Sequence, residues 1–458
     1  MTWNSRPAID GKQLAAFGPV TSGAWYEVDL PVSAAHGDGP MSLAMDSLSA
    51  DGADWSSRES GLTPTLLLDV ESGVQPAPPL LSTVADRNTG SSDPTYYGNN
   101  HRVVATAAGR LLTVHGRHAS GVQLAWKDPQ GLEWMRTTSG TISDGQLLSG
   151  TGTGDWPASI ALAREPSGEE IAFVVWAGQD FGVNRPLQVR VLKQLDSPGR
   201  PSIGPVVTFT APSLAAVRPD VGVEQSVDGT PRVAVTWAER NSTSTFALMV
   251  GWLDDYLSDS PALVSSVALL RDGSSGRTAT IASTTSGVRV AARADGGRMR
   301  VYGHEHDRPL SEWWSSGPGP VIPATSYPSA VGLETGEVLV AAVRDPTQGT
   351  INVQRYTGPG KAPSTEFEDG HRDPAVAASG GETFLVAVRL ADGSVVSRSA
   401  ERGGGWASQE RVEIGLEGGG NHSWPSPLPH AAQGVRFVVR GPGATANRSS
   451  VLAYERTQ

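Results

Sequence analysis

The chain has 458 residues with 47 acidic against 36 basic side chains, and its formal net charge of −11 argues against nucleic acid as a partner. It has no cysteine, which removes disulfide frameworks, thiolate metal sites and cysteine nucleophiles, and no apolar run approaches the ~18 residues of a membrane-spanning helix. Its 54 glycines and 33 prolines fit many short strands joined by tight turns, while 13 tryptophans suit either stacking on sugars or packing between sheets.

Residues 3–70 alternate apolar runs with polar turns, most clearly at 25–30, 41–45 and 65–70, and predict strands there. Three phrases stand out: Thr2-Trp3-Asn4-Ser5-Arg6-Pro7, Gly23-Ala24-Trp25-Tyr26-Glu27-Val28-Asp29 and Asp54-Trp55-Ser56-Ser57-Arg58-Glu59-Ser60. They resemble the second half of a DNRLRE-type β-sandwich module, a class that includes carbohydrate-binding modules attached to polysaccharide-degrading enzymes. The resemblance implies a partial β-sandwich over 1–72. A half-sandwich leaves an apolar face and strand edges to be covered elsewhere. Residues 73–94, rich in Pro, Ser and Asp, are expected to be a linker, part of which can supply an outer strand that closes a ring.

From residue 95 to 458 one phrase recurs seven times: a polar opening, often ending in Pro, an alternating apolar run, a Gly-containing turn, and a second apolar run with a polar close. The openings are Asn99-Asn100-His101-Arg102, Asp155-Trp156-Pro157, Arg218-Pro219-Asp220, Arg277-Thr278, Ser326-Tyr327-Pro328, His371-Arg372-Asp373-Pro374 and Asn421-His422-Ser423-Trp424-Pro425. The closes are Arg117-His118, Trp176-Ala177-Gly178, Glu239-Arg240, Arg293, Arg344, Arg389 and Arg440, the last four separated by 51, 45 and 51 residues. A period near 50 with short strands predicts a β-propeller, and seven repeats predict seven blades. The fold class is therefore all-β, a seven-bladed β-propeller with a small N-terminal β-sandwich-like segment.

This architecture also places the chemistry. Each opening begins a blade's innermost strand and each close ends the next one, so all of them meet around one mouth of the central channel. Sites in propellers belong on such loops. Blade one should bring His101 in and His118 back, with Arg102 and Arg117 beside them, which suits proton transfer near a bound anion; His115 should point elsewhere and be structural.

The run Asn100-His101, Gly109-Arg110 and Gly116-Arg117-His118, followed by Trp156-Pro157, Trp176-Ala177-Gly178-Gln179-Asp180-Phe181-Gly182 and Val235-Thr236-Trp237-Ala238-Glu239-Arg240, resembles the BNR-type seven-bladed propellers of ulvan lyases and related rhamnose-glucuronate lyases. The likeness covers roughly 95–240. It implies β-elimination on a uronate-containing glycan, with His101 or His118 moving the proton, Tyr97 or Tyr327 as acid because Trp156 stands where the family has Tyr, and Arg240 or Arg218 on the carboxylate. Asn100, Arg102, Trp156, Arg218, Arg293, Arg344, His371, Arg372, His422 and Trp424 are the expected substrate-binding residues.

The expected partner is a polysaccharide, anionic in character given the mouth arginines, with no nucleic acid and no membrane insertion. No cofactor is required for elimination; a structural divalent cation is compatible with the fold, and His304-Glu305-His306-Asp307 is its weak candidate against the simpler reading of a polar loop. Two alternatives use the same scaffold: a non-catalytic glycan-binding propeller such as a phage tail or receptor-recognition protein, and a glycoside hydrolase using two of Asp155, Asp220, Glu239 and Asp373. The expected place of work is extracellular, with a leader lost from this chain, or on a virion.

Overall fold

Runs such as Glu170–Ala177 and Gly287–Arg293 are apolar almost throughout, the pattern of strands covered on both faces. A computed structural model shows how they are covered. It describes residues 80–89, 102–117 and most of 121–456; 1–79, 90–101 and several connections, the longer being 136–145, 148–157, 178–185, 210–215, 226–229, 241–245, 271–278, 402–405, 415–422 and 443–447, lie outside the described residues. Contacts divide the chain into Met1–Gly73 and Val74–Gln458. The sandwich expected over 1–72 falls outside the described residues.

The second unit is a seven-bladed β-propeller. Strand β1 (Leu80–Thr89) comes first in sequence. Blade one is β2 (Val103–Ala105), β3 (Leu111–Arg117), β4 (Gly121–Lys127) and β5 (Gln146–Leu147); blade two is β6 (Ala158–Arg164), β7 (Glu170–Ala177) and β8 (Leu187–Lys193), with β9 (Ser202–Ile203) and β10 (Val207–Phe209) along the edge of β8. Blade three holds β11 (Ala216–Gln225), β12 (Pro231–Arg240), β13 (Phe246–Asp254) and β14 (Ala262–Leu270), and blade four β15 (Ala279–Thr284), β16 (Gly287–Arg293), β17 (Met299–Glu305) and β18 (Trp314–Ser315). Blade five is β19 (Ser329–Gly332), β20 (Val338–Asp345), β21 (Thr350–Tyr356) and β22 (Ser364–Glu368); blade six is β23 (His371–Ser379), β24 (Glu382–Arg389), β25 (Val395–Glu401) and β26 (Arg411–Ile414). Blade seven takes β27 (Ser423–Pro427), β29 (Val435–Pro442) and β30 (Arg448–Arg456), while the short β28 (His430–Ala431) that follows β27 pairs with β23 at the inner edge of blade six. Apart from a 3₁₀ turn at Asp295–Gly297, no helix occurs among the described residues.

The ring closes with β1, which pairs antiparallel with β30 as the outermost strand of blade seven. The linker thus supplies the closing strand, and Lys127 of blade one forms an ion pair with Glu455 of blade seven. Pairing with β1 covers the edge that β30 would otherwise expose.

Seven apolar clusters hold the ring, one at each blade interface. Between blades two and three, for example, Phe173, Val175 and Val189 pack against Val221, Val235 and Trp237. Near the axis the blades are tied by polar groups. Asp220, fully buried, accepts from Ser159 Oγ of blade two, Thr280 Oγ1 (2.9 Å) and Ile281 N (3.0 Å) of blade four, and Val221 N (3.0 Å). Ser426 Oγ accepts from Arg102 N (3.2 Å), Ser283 Oγ from Val223 N (2.9 Å), and Ser329 Oγ from Val376 N (3.2 Å). These ties satisfy inner-strand groups that the sheets leave unpaired.

Candidate functional site

Within each blade the opening and the close lie side by side. Register pairs include His371 with Arg389, Ser423 with Arg440, Ala158 with Trp176, Val217 with Ala238 and Ala279 with Ala292. Neighbouring inner strands run the same way, as the parallel pairing of β28 with β23 records. Among the described residues, the blade openings therefore gather at one mouth.

Two openings carry a distorted backbone. Arg218 (φ 55°) and Asp373 (φ 49°) are left-handed, each directly precedes a proline, and each sits in a register shift, between Val217 and Asp220 and between Arg372 and Ala375. A left-handed residue with a Cβ ahead of proline costs ~1–3 kcal/mol. The bulge places Asp220 inward as the cross-blade tie while Arg218, two residues earlier, remains partly exposed.

Arg218 reaches across blade four to Tyr327 in the opening of blade five. Its guanidinium carbon stands 4.9 Å from the ring centroid and Nη2 lies 3.4 Å from the phenolic oxygen. Both side chains are partly exposed. The guanidinium donates to the phenolic oxygen, and a fixed cation there stabilises negative charge appearing at that spot.

The remaining expected residues distribute as follows. Arg102, an expected substrate-binding residue, is completely buried; burial pushes its guanidinium down to about 9, opposed by the charge of Asp220. Arg293 is half-buried and its Nε donates to Ile322 O (2.9 Å), a bond to the segment leading into blade five. Arg344 is exposed at the end of β20. Arg372 is partly exposed, with Nε 4.0 Å from Asp373 Oδ2. Arg240 and Trp424 lie on β12 and β27. His101, His118, Tyr97, Asn100, Trp156 and His422 lie outside the described residues. His115 is buried on β3.

His371 belongs to a cluster that the sequence reading missed. Its Nε2 is 2.5 Å from Glu410 Oε2, and Glu410 Oε1 accepts from Arg389 Nε (3.0 Å) and Nη2 (2.5 Å). Asp392 Oδ2 accepts from Arg389 Nη1 (2.9 Å), and Asp392 is held by Ser394 Oγ (2.6 Å) and N (2.9 Å). Burial raises the Glu410 carboxyl, yet bonds from Arg389 and His371 outweigh it and leave it below the usual carboxylate range. Arg389 was visible as a strand close; Glu410, 21 residues further on, belongs to no recurring phrase.

The carboxylates weighed for a hydrolase are differently placed. Asp220 is consumed by its cross-blade bonds, and Glu239 is half-buried beside Trp237 Nε1 at 3.5 Å. His304 ends blade four away from the mouth, buried between Trp252 and Trp313 (4.8 and 5.4 Å), with Nδ1 2.9 Å from Glu224 and Nε2 3.2 Å from Pro309 O. His306 lies past the strand in a turn. No cluster of three or more metal-ligating side chains occurs among the described residues.

Residues 1–70 match the model of carbohydrate-binding module family 96. Among curated proteins none matches the chain in sequence. Solved structures similar to it include the Aleuria aurantia lectin in complex with Fucalpha1-6GlcNAc (13% identity, 71% of this chain and 97% of that one, TM-score 0.42). They also include a PL25 ulvan lyase (10%, 81% and 83%, 0.35) and the Trypanosoma rangeli sialidase (11%, 83% and 60%, 0.43). At this distance no activity passes from them to this chain. The propeller itself rests on its strand pairing.

Proposed function

We propose that this protein engages glycans at the channel mouth and cleaves a uronate-containing polysaccharide there by β-elimination. The Arg218–Tyr327 pair carries the reading. Elimination needs a cation on the uronate carboxylate, a base for the C5 proton and an acid for the leaving oxygen. In the proposed roles Arg218 holds the carboxylate as charge develops at C5, and Tyr327 protonates the oxygen released from C4 as the C4–C5 double bond forms. The C5 proton passes to His101 or His118. The match of residues 1–70 to a carbohydrate-binding module supports a glycan as the partner.

A non-catalytic glycan-binding role is favoured by a different observation: the side chains of His371, Arg389, Glu410 and Asp392 are bonded to one another, an arrangement that fixes donors and acceptors in place. Incubation with a panel of uronate polysaccharides, monitored for absorbance of the unsaturated product and in parallel for binding, separates the two. New absorbance supports the lyase; binding without it leaves the lectin-like role.

A further inference from the structure

We propose that the depression between blades five and six is a second glycan subsite, selective for a neutral pyranose presenting two adjacent hydroxyl groups. It is separate from the Arg218–Tyr327 pair and does not depend on the elimination chemistry.

The depression is shallow and open to solvent, about 520 Å³, between the β20–β21 turn at Gln348 and the His371, Arg389, Leu390 and Glu410 side of blade six. Its walls are stitched together by backbone bonds, His371 N to Gly349 O (2.9 Å) and Leu390 N to Gly370 O (2.8 Å). Gly349 has φ 72°, and a Cβ there would meet Leu390 Cδ1 at 2.3 Å and His371 N at 2.8 Å. Only glycine lets the turn come this close.

The polar groups match a diol. Arg389 has five N–H donors, and its bonds to Glu410 and Asp392 occupy one each on Nε, Nη1 and Nη2. One donor on each terminal nitrogen remains for two adjacent hydroxyl oxygens, in the planar fork that suits paired acceptors. Glu410 Oε2, aligned by the nine-tenths-buried His371, retains lone pairs for a hydroxyl hydrogen. A hydroxyl both accepts and donates, so this pairing of a cation with a carboxylate fits it.

Charge argues against an anionic sugar here. Arg389 faces Glu410 and Asp392 together, so its single positive charge is already shared between two carboxylates and little of it is left for a sugar carboxylate or sulfate. Leu390, 40% exposed, offers an apolar surface for the C–H face of the ring. The four polar residues are bonded to one another before any ligand arrives, which lowers the ordering cost of binding.

The test is a titration of the full chain with methyl pyranosides of L-rhamnose, D-galactose, D-mannose and D-glucose, and with methyl glucuronide as the anionic control, followed by ligand-observed NMR. The expected result is weak binding of at least one neutral glycoside, reduced about tenfold or more in Glu410→Gln and retained in Arg218→Ala. Because Glu410→Gln disturbs a bonded cluster, Gln348→Trp is the second variant: it fills the depression from an exposed turn, leaves the four polar residues intact, and should abolish binding with an unchanged melting temperature. No binding of any neutral glycoside, binding that Gln348→Trp leaves intact, or preference for the glucuronide at this site overturns the proposal.

Discussion

Arg218 and Tyr327 are 109 residues apart in sequence and come from blades separated by a third, yet the phenol oxygen lies 3.4 Å from the guanidinium Nη2 with the cation 4.9 Å from the ring centre. Such a pair assigns the phenolic hydroxyl a role distinct from the ring that carries it. Tyr327→Phe keeps the ring under the cation and removes the hydroxyl. The expected outcome is a fall in turnover of about 10²–10⁴ on the active polysaccharide, with substrate binding and melting temperature close to wild type. Steady-state kinetics with a parallel binding assay check it.

Asp220 should behave as a structural residue. Asp220→Ala strips the acceptor from Ser159, Thr280 and two backbone amides at the axis and removes the charge facing buried Arg102. The expected loss is about 3–5 kcal/mol of unfolding free energy, the range for breaking a buried charged network. Denaturant titration measures it; a loss under ~1 kcal/mol would show that the blades do not depend on this tie.

Ring closure by β1 separates two truncations. Removing residues 1–73 leaves β1 in place, whereas removing 1–90 takes away the partner of β30 and exposes its edge. The shorter truncation should melt as a cooperative unit near the intact chain; the longer one should melt lower and aggregate. Calorimetry with light scattering distinguishes them.

The mouth-side carboxylates set an acid limit. Glu410 is held below its ordinary range by Arg389 and His371 against the opposing effect of burial, and Asp392 is lowered to about 2, chiefly by bonds from Ser394 and then Arg389. A carboxylate with a depressed folded-state pKa contributes stability in full above its unfolded value, ~4, and loses it as pH falls through the folded value. Denaturation midpoints should therefore hold above pH ~4.5 and decline between ~4 and 2, and Glu410→Gln should flatten part of that decline.

The blade count and the shared mouth were legible because openings and closes are local phrases tied to strand ends, and strand geometry alone brings them together. The closing strand was legible for the same reason, since a ring needs one more strand than its last blade had left. What the sequence concealed depends on which way a side chain turns. Arg102 and Arg218 look alike as openings, but the first is fully buried while the second stands in a pre-proline bulge and stays partly exposed. Asp220 reads as an available acid until its neighbours on blades two and four are seen to consume it. Glu410 is missed because it reaches His371 and Arg389 from outside any repeat, and His304 looked like half a chelate because Glu224, 80 residues away, is invisible to local spacing.

The central claim is that the mouth carrying Arg218 and Tyr327 cleaves uronate glycans. Its most direct test is the appearance of unsaturated-uronate absorbance when the intact protein and Tyr327→Phe are each incubated with the same panel of uronate polysaccharides. The intact protein is expected to generate the chromophore on at least one substrate, and Tyr327→Phe to bind that substrate still while the rate collapses. Absence of the chromophore across the panel, or an undiminished rate in Tyr327→Phe, would contradict it.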